Sequence, residues 1–341
     1  MTLSSGVATF TDISFRKTSV VSLEASVGSI KVCASGITVT PGALSLLAFT
    51  TQPSSTATAG GTLTTDPVIT AYDAYANVKT NFASSVSLTG NSGTGTCNSS
   101  ADLSSSVNPT SKSAVSGVAD FSGLSILSTQ TKRLRATSGA ITVCSSALTI
   151  SAGAAATISV VSGNTQSGTA GSAVASPLVV LVQDSEGNPI PNATVTFAAT
   201  GGGGSVSPTS TTTNASGQAQ TTFTLGNTAG SNTAQATSGG QSVSFSATGV
   251  AGVATQFLIN SGNNQTGTVN SALSSSLEVI ALDTNNNPVS GVTVNWSVLT
   301  GGGSLVASGA TTNSSGIASA VLTLGNSAGS NTARAAATGF T

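Results

Sequence analysis

Short runs in which every second residue is apolar follow one another along this chain. In residues 194–197 and 221–225 the apolar side chains recur with a period of two, as in a β-strand with one buried face. Residues 178–182 form a continuous apolar run, short enough for a buried strand at the centre of a sheet. Turn residues separate the runs at intervals of about 8–12 residues, which is typical of an all-β sandwich. Strands are predicted within residues 44–51, 67–73, 86–88, 119–126, 134–138, 141–150, 158–161, 178–182, 194–197, 221–225, 243–247, 257–259, 277–282 and 333–337.

One long string of turns and strands occurs twice in the second half of the chain. An offset of 99 residues maps residues 184–197 onto 283–296. A repeat of this length indicates two copies of one folding unit, about the size of an immunoglobulin-like sandwich. Phe197 and Trp296 occupy equivalent strand positions, where an aromatic side chain is expected in the sandwich core.

A second offset, of 111 residues, relates the start of the chain to its middle. It maps residues 5–10 onto 116–121, so the chain is expected to open in the middle of a repeat, as a fragment of a longer protein does. The linkers between repeats are short, which favours a semi-extended rod. The predicted segments are 1–42, the C-terminal part of a truncated Ig-like domain; 43–153 and 154–252, two whole Ig-like domains; and 253–341, an Ig-like domain lacking its last strand.

The repeated motifs carry a resemblance to a known family. They read Asp-x-x-Gly/Asn-Asn-Pro, then Val-x-Val/Phe, a glycine run with serine, Thr-Asn-x-x-Gly and Leu-Gly-Asn. With these spaced motifs, most of 154–341 resembles the bacterial immunoglobulin-like domains of the intimin and invasin family. The resemblance implies tandem β-sandwiches in surface stalks and adhesins, and it implies no enzyme.

Composition narrows the function further. The chain has nine Lys and Arg residues and ten Asp and Glu residues, so its net charge is −1. Only 6% of its residues are charged. Nucleic-acid binding needs clustered basic residues, and the one short cluster, 132–135, fits a strand with one solvated face. Histidine is absent, which removes the commonest general base and a common metal ligand. We therefore predict no catalytic residue, cofactor, metal or nucleic-acid partner. No apolar run reaches the roughly 18 residues that a membrane span needs.

The three cysteines lie in the first part of the chain. Cys144 falls on the last predicted strand of 43–153, Cys97 lies in a loop of the same repeat, and Cys33 is the copy of Cys144 one repeat earlier. The position equivalent to Cys97 would precede residue 1, which accounts for the odd number. We predict a structural disulfide between Cys97 and Cys144, worth at most about 4 kcal/mol in the chain-entropy model and indicating an oxidising compartment. The alternative is three free, buried thiols.

An aspartate followed four residues later by an asparagine marks three equivalent turns. A calcium site is one interpretation, because carboxylate and amide oxygens are ligands that calcium prefers. Calcium takes six to eight oxygens, usually with several carboxylates, and the chain has only ten acidic residues. We favour an Asx turn, in which the Asp side chain accepts backbone N–H groups. The pairs are Asp73 with Asn77, Asp184 with Asn188, and Asp283 with Asn287.

These observations, with the resemblance, predict a non-enzymatic extracellular stalk or fibre segment of a bacterial-type cell-surface or adhesin protein. Its partners would be the neighbouring repeats of the same long chain. The alternative is a subunit of a self-assembled extracellular or virion filament, joined by β-strand addition at the incomplete terminal domains. A lytic enzyme or a carbohydrate-binding module would need a paired-carboxylate cleft or an exposed aromatic row, and the sequence shows neither.

Overall fold

Strands and the turns between them make up the regular structure, and the predicted all-β class is confirmed. A computed structural model describes residues 5–91, 103–104 and 106–340, and no residue in these ranges is helical. These ranges accordingly contain no helix with the length and apolar character of a membrane span. The chain divides into two compact units, which are Met1–Ala154 with Asp184–Asn188, and Ala155–Gln183 with Pro189–Thr341. The predicted boundaries after residues 42, 153 and 252 stay predictions.

The first unit contains a hairpin and one sandwich. Its strands are β1 (Ser19–Val27), β2 (Ile30–Val39), β3 (Leu46–Thr51), β4 (Thr56–Thr58), β5 (Val68–Tyr72), β6 (Ser85–Asn91), β7 (Leu103–Ser104), β8 (Val107–Asn108), β9 (Ser111–Ser113), β10 (Val118–Asp120), β11 (Ser125–Ile126), β12 (Gln130–Ser138) and β13 (Ile141–Ser151). The main sheet has the order β4-β13-β12-β6-β7, with β9 paired to β6. Strands β10-β5-β3 form a second sheet, and β11 pairs with β8. Strand β1 pairs with β2, and no third strand joins them among the described residues.

Alternating side chains from these sheets meet in one core. Leu47, Ile69, Leu88, Phe121 and Leu134 are all buried in it. Along β12 the buried residues recur at every second position, so one face of the main sheet is removed from water there.

One prediction for this sandwich needs correction. Residues 119–126 do not form one strand, because a turn separates β10 from β11. Gly123 has φ 76°, and the Asp66 carboxylate accepts its N–H at 2.8 Å. The basic cluster lies on a strand as predicted: in β12, Arg133 and Arg135 share the partly exposed face, and Lys132 lies on the buried face with Leu134. Burial lowers the pKa of the Lys132 ammonium, because desolvation disfavours the charged form.

The second unit contains two further sandwiches. Its strands are β14 (Thr157–Ser162), β15 (Gln166–Thr169), β16 (Leu178–Gln183), β17 (Thr194–Gly201), β18 (Ser205–Ser207), β19 (Ser210–Thr212), β20 (Gln218–Thr224), β21 (Gly230–Ser238), β22 (Gln241–Val250), β23 (Gln256–Ser261), β24 (Leu277–Leu282), β25 (Val294–Thr300), β26 (Ser304–Ala307), β27 (Ile317–Thr323) and β28 (Thr332–Ala337). The first of these sandwiches pairs the sheet β14-β16-β20-β18 with the sheet β15-β22-β21-β17-β19. Its core includes Val180, Val195, Phe197, Phe223 and Phe245.

The last sandwich repeats one sheet in full and the other in part. The sheet β23-β24-β27-β26 matches β14-β16-β20-β18, whereas the second sheet contains only β25 and β28 among the described residues. Phe197 is buried as predicted, with 3% of its surface exposed, but the equivalent Trp296 is only half-buried. The second sheet of this sandwich has no strand beyond β28 among the described residues, whereas β22 lies beside β21 in the sandwich before it.

Candidate functional site: the aspartate–asparagine turns

Each predicted turn is closed by its own aspartate. The backbone N–H of this aspartate donates to the carbonyl of the asparagine four residues later, at 3.0 Å in every copy. Its Oδ1 accepts the backbone N–H groups of the second and fourth residues after it, at 2.8 to 3.0 Å. This is the arrangement of an Asx turn. The three copies are Asp73 with Asn77, Asp184 with Asn188, and Asp283 with Asn287.

The residue before each asparagine has a left-handed backbone. It is Ala76 at φ 61°, Gly187 at φ 79° and Asn286 at φ 64°. Glycine reaches this region without steric cost and asparagine tolerates it, whereas other L-residues lose about 1–2 kcal/mol there. Two copies therefore carry a residue suited to the turn, and Ala76 is strained.

The second carboxylate oxygen binds the linker that precedes the repeat. Asp283 Oδ2 accepts the N–H of Gly252 at 2.8 Å and the side-chain amide of Asn287 at 2.9 Å. Asp73 and Asp184 bind their linker glycines in the same way, both at 3.0 Å. In every copy the glycine lies 31 residues before the aspartate. The turn thus fixes the path of the chain that enters the repeat.

The asparagine side chain binds a segment about 60 residues earlier in the sequence. Asn287 Nδ2 donates to the Asn227 carbonyl at 2.8 Å, and Asn287 Oδ1 accepts the Ala229 N–H at 2.7 Å. The amide therefore clamps a carbonyl and an N–H that are two residues apart. This pair lies just before β21, the strand that opens the last hairpin of its sandwich.

The first unit contains two more copies of this asparagine clamp. Asn77 binds the Arg16 carbonyl at 2.8 Å and the Thr18 N–H at 3.2 Å. Asn188 binds the Leu127 carbonyl at 2.8 Å and the Thr129 N–H at 3.2 Å. These contacts place residues 184–188 in the first compact unit, although the sequence repeat assigns them to the following segment.

Hydrogen bonds keep the three carboxyl groups ionised. The side-chain amide of Asn77, helped by the N–H groups of Asn77, Gly42 and Tyr75, outweighs burial and lowers the pKa of Asp73 far below its usual range. Burial raises the pKa of Asp184 and Asp283, but the hydrogen bonds from their linker glycines and asparagines outweigh it, so both pKa values are lowered. A carboxylate that accepts several N–H groups is stabilised in its charged form.

The polar groups of these turns form hydrogen bonds within the protein. N–H donors approach both oxygens of each carboxylate, and the aspartates and asparagines of all three turns are buried. In the part of the chain that the structure describes, no group of three or more His, Cys, Asp or Glu side chains is arranged to hold a metal ion. The turns bind backbone groups of their own chain.

The predicted disulfide lies partly outside the described residues. Cys144 lies half-buried on β13, paired across the hairpin with Arg135. Cys97 falls within 92–102, outside the described residues. Cys33 on β2 is exposed and free. The Cys97–Cys144 disulfide therefore stays a prediction.

Sequence reasoning found the turns but missed what they bind. It assigned the aspartate to its own backbone and gave the asparagine no partner outside the turn. The constant 31-residue separation between linker glycine and aspartate was the available signal. The partners of the asparagine, such as Asn227 and Ala229, bind through backbone atoms. No side-chain pattern marks them.

Comparison with known families identifies one of the repeats. The sequence profile of the family described as Bacterial Ig-like domain (group 1) matches residues 157–251. The resemblance to bacterial immunoglobulin-like domains is confirmed for this part of the chain. A comparison with curated proteins gave no match.

Several solved structures are similar to the chain. FdeC, an Escherichia coli adhesin, is 20% identical over 89% of this chain and 96% of that chain, with a TM-score of 0.44. Invasin, a bacterial integrin-binding protein, is 17% identical over 82% of this chain and 54% of that chain, with a TM-score of 0.41. Domains 4–9 of the surface layer protein SbsC are 18% identical over 87% of this chain and 45% of that chain, with a TM-score of 0.28. With TM-scores under 0.5, these likenesses carry no argument about partners or activity.

Proposed function

We propose that this chain is a non-enzymatic, extracellular structural segment of a bacterial-type surface protein. Its tandem Ig-like domains would form a stalk that carries an adhesive tip away from a surface. The observation that supports this most is the recurrence of one bonded turn in three repeats: the aspartate holds the linker glycine, and the asparagine holds the preceding segment.

Each turn would act as a joint between consecutive repeats. A linker alone leaves neighbouring domains free to move. A buried aspartate that binds the linker, together with an asparagine that binds the segment before the last hairpin, restricts that motion. Because the carboxylate and amide are removed from water, breaking these bonds leaves buried polar groups unsatisfied, at about 1–3 kcal/mol each. The connection between two repeats would therefore be stiffer than a short linker alone would make it.

The surface chemistry suits this role. Only 6% of the residues are charged and none is histidine, so hydroxyl and amide groups must provide most of the hydration. The match to a bacterial Ig-like domain supports a cell-surface location. Ligand binding would belong to loops at the ends of the sandwiches or to a tip domain, and the neighbouring repeats would be the direct partners.

Small-angle X-ray scattering tests the joints. We compare the wild-type chain with Asn188→Ala/Asn287→Ala, which removes two clamps. The matched control is Asn214→Ala/Asn313→Ala, because these asparagines cap turns inside their own repeats. If the clamps stiffen the stalk, the maximum dimension of the particle should have one narrow distribution in the wild type and in the control. The distribution should be broader in the clamp variant. Equal distributions for wild type and clamp variant would refute the joint.

A further inference from the structure

Two arginine side chains lie next to each other on one face of the main sheet in the first sandwich. Arg133 and Arg135 are separated by one residue on β12, and Leu134 between them is buried in the core. Because side chains alternate along a strand, both arginines project from the opposite face, roughly 7 Å apart. Each is half-buried, so part of each residue stays at the surface.

No carboxylate neutralises this pair of guanidinium groups in the part of the chain that the structure describes. The ion pair found there joins Lys31 and Glu24. Arg133 Nη1 donates to the Ser145 carbonyl at 3.3 Å, whereas the Nε atoms of Arg133 and Arg135 are buried without a hydrogen-bond partner. Two positive charges therefore lie close together at the sheet surface, without a counter-charge among the described residues.

The fold does not require arginine at either position. Strand β21 of the second sandwich aligns with β12, because both begin a hairpin with the same register beside its turn. In this alignment Thr233 occupies the position of Arg133, and Gln235 occupies that of Arg135. Neutral side chains are therefore sufficient for such a sheet, and the arginine pair distinguishes the first sandwich from the second.

Hydroxyl side chains continue the same face of the sheet. Thr89 on β6 lies opposite Arg135. Thr137, the next residue of β12 on this face, lies between Ser87 on β6 and Thr142 on β13. All four hydroxyl residues are partly exposed. A hydroxyl both donates and accepts hydrogen bonds, so this surface can bind the hydroxyl groups of a sugar next to the arginine pair.

The position of the pair argues against two other kinds of partner. Strand β12 lies inside its sheet, between β13 and β6, so it has no free edge at which an extended peptide could add as a further strand. Nucleic-acid binding depends on many clustered basic groups, and two arginines are too few. A saccharide that carries negative charge needs neither a strand edge nor a long basic surface.

We propose that Arg133 and Arg135 bind the carboxylates of an acidic polysaccharide. The planar guanidinium group matches a carboxylate with two parallel N–H···O bonds, and each arginine would bind one carboxylate through its outer Nη groups. Thr89 and Thr137 would bind hydroxyl groups of the adjacent sugars. The recognition depends on charge and needs no exposed aromatic row. The stalk function does not require this site, so the proposal goes beyond it.

Binding of the full chain to polygalacturonate tests the proposal. Every sugar of this polymer carries a carboxylate, and its methyl ester offers the same sugars without charge. Biolayer interferometry with each polymer immobilised is expected to show binding to polygalacturonate and none to the methyl ester. Poly-L-glutamate, an acidic peptide, should bind more weakly. The proposal is overturned if polygalacturonate does not bind, if the methyl ester binds equally well, or if poly-L-glutamate binds as tightly.

Three variants test the site itself, and circular dichroism checks that each variant is folded. Arg133→Thr/Arg135→Gln introduces the residues of the second sandwich and should weaken binding at least about tenfold. Arg133→Lys/Arg135→Lys keeps the charge but lacks the planar guanidinium group, so it should also bind more weakly. The control Lys17→Gln/Arg334→Gln removes two positive charges at exposed positions and should bind like the wild type. Wild-type affinity in either variant of the arginine pair, or an equal loss in the control, would contradict the proposal.

Discussion

The side chain of Asn287 donates to the carbonyl of Asn227 at 2.8 Å, although the two residues are 60 positions apart in the sequence. Asn287 also accepts the Ala229 N–H and donates to Asp283. One buried amide thereby links the turn of the last sandwich to the sandwich before it. The same bonding geometry at Asn77 and Asn188 makes the turn a repeated device of this chain.

Replacing this amide should destabilise the last sandwich. Asn287→Ala leaves the Asn227 carbonyl and the Ala229 N–H without their partner, and we expect the free energy of unfolding to fall by about 2 kcal/mol. Urea denaturation followed by Trp296 fluorescence measures this loss. The control Asn313→Ala removes an exposed cap and should cost less. An equal loss of unfolding free energy in both variants would show that the buried clamp contributes no more to stability than an exposed cap does.

Acid should weaken the folded chain through the three aspartates. Their pKa values are lower in the folded state than the ordinary value of 3.8. Stability from a depressed carboxyl pKa is fully present above the unfolded value and is lost as pH falls towards the folded value. We therefore expect stability to fall below about pH 4, measured as denaturation midpoint against pH. Asp283→Asn should flatten this dependence for the last sandwich.

Relieving the strain at Ala76 should stabilise the first turn. Ala76→Gly removes the Cβ from a residue at φ 61°, and we expect a gain of up to about 1 kcal/mol, since the cost of the left-handed backbone is offset partly by glycine's greater unfolded-state entropy. The reciprocal change Gly187→Ala, at φ 79°, should destabilise the second turn by a similar amount. Thermal denaturation of both variants measures the shifts. A loss for Ala76→Gly would contradict the strain.

The predicted disulfide has a direct chemical test. If Cys97 and Cys144 are paired, alkylation of the unfolded, unreduced protein should label one thiol, that of Cys33. After reduction, three thiols should be labelled. In the Cys144→Ser variant, two thiols should be labelled without reduction. The free energy of unfolding of this variant should be lower by at most about 4 kcal/mol. Labelling of three thiols in the unreduced wild type would exclude the pair.

Local patterns predicted many of the longer strands, because runs of apolar residues mark them, but missed short ones such as β4, β15 and β18. The run at 277–282 matches β24 to the residue, and the run at 178–182 gives a central strand. Burial in that strand alternates, so one face is better covered than the other. Continuous apolar sequence did not mean equal burial on both faces.

The sequence predicted where the turns lie, but it did not predict all the groups that their side chains bind. The carboxylate of Asp184 accepts N–H groups within its own turn, from Glu186 and Asn188. It also accepts the N–H of Gly153, 31 residues earlier. A local sequence pattern predicts only the bonds within the turn. The asparagine clamps depend on backbone groups about 60 residues earlier, such as those of Leu127 and Thr129. Only the folded chain brings these groups to the turn.

Amide hydrogen exchange at Ala229 tests the clamp most directly. This N–H donates to the Asn287 side chain at 2.7 Å. We expect the Ala229 amide to exchange slowly in the wild-type chain and much faster in Asn287→Ala, while the amide of Val182, bonded to the Gly217 carbonyl within the preceding sandwich, keeps its protection in both proteins. Fast exchange at Ala229 in the wild-type chain, or equal exchange in both proteins, would contradict the claim that the turn clamps the preceding repeat.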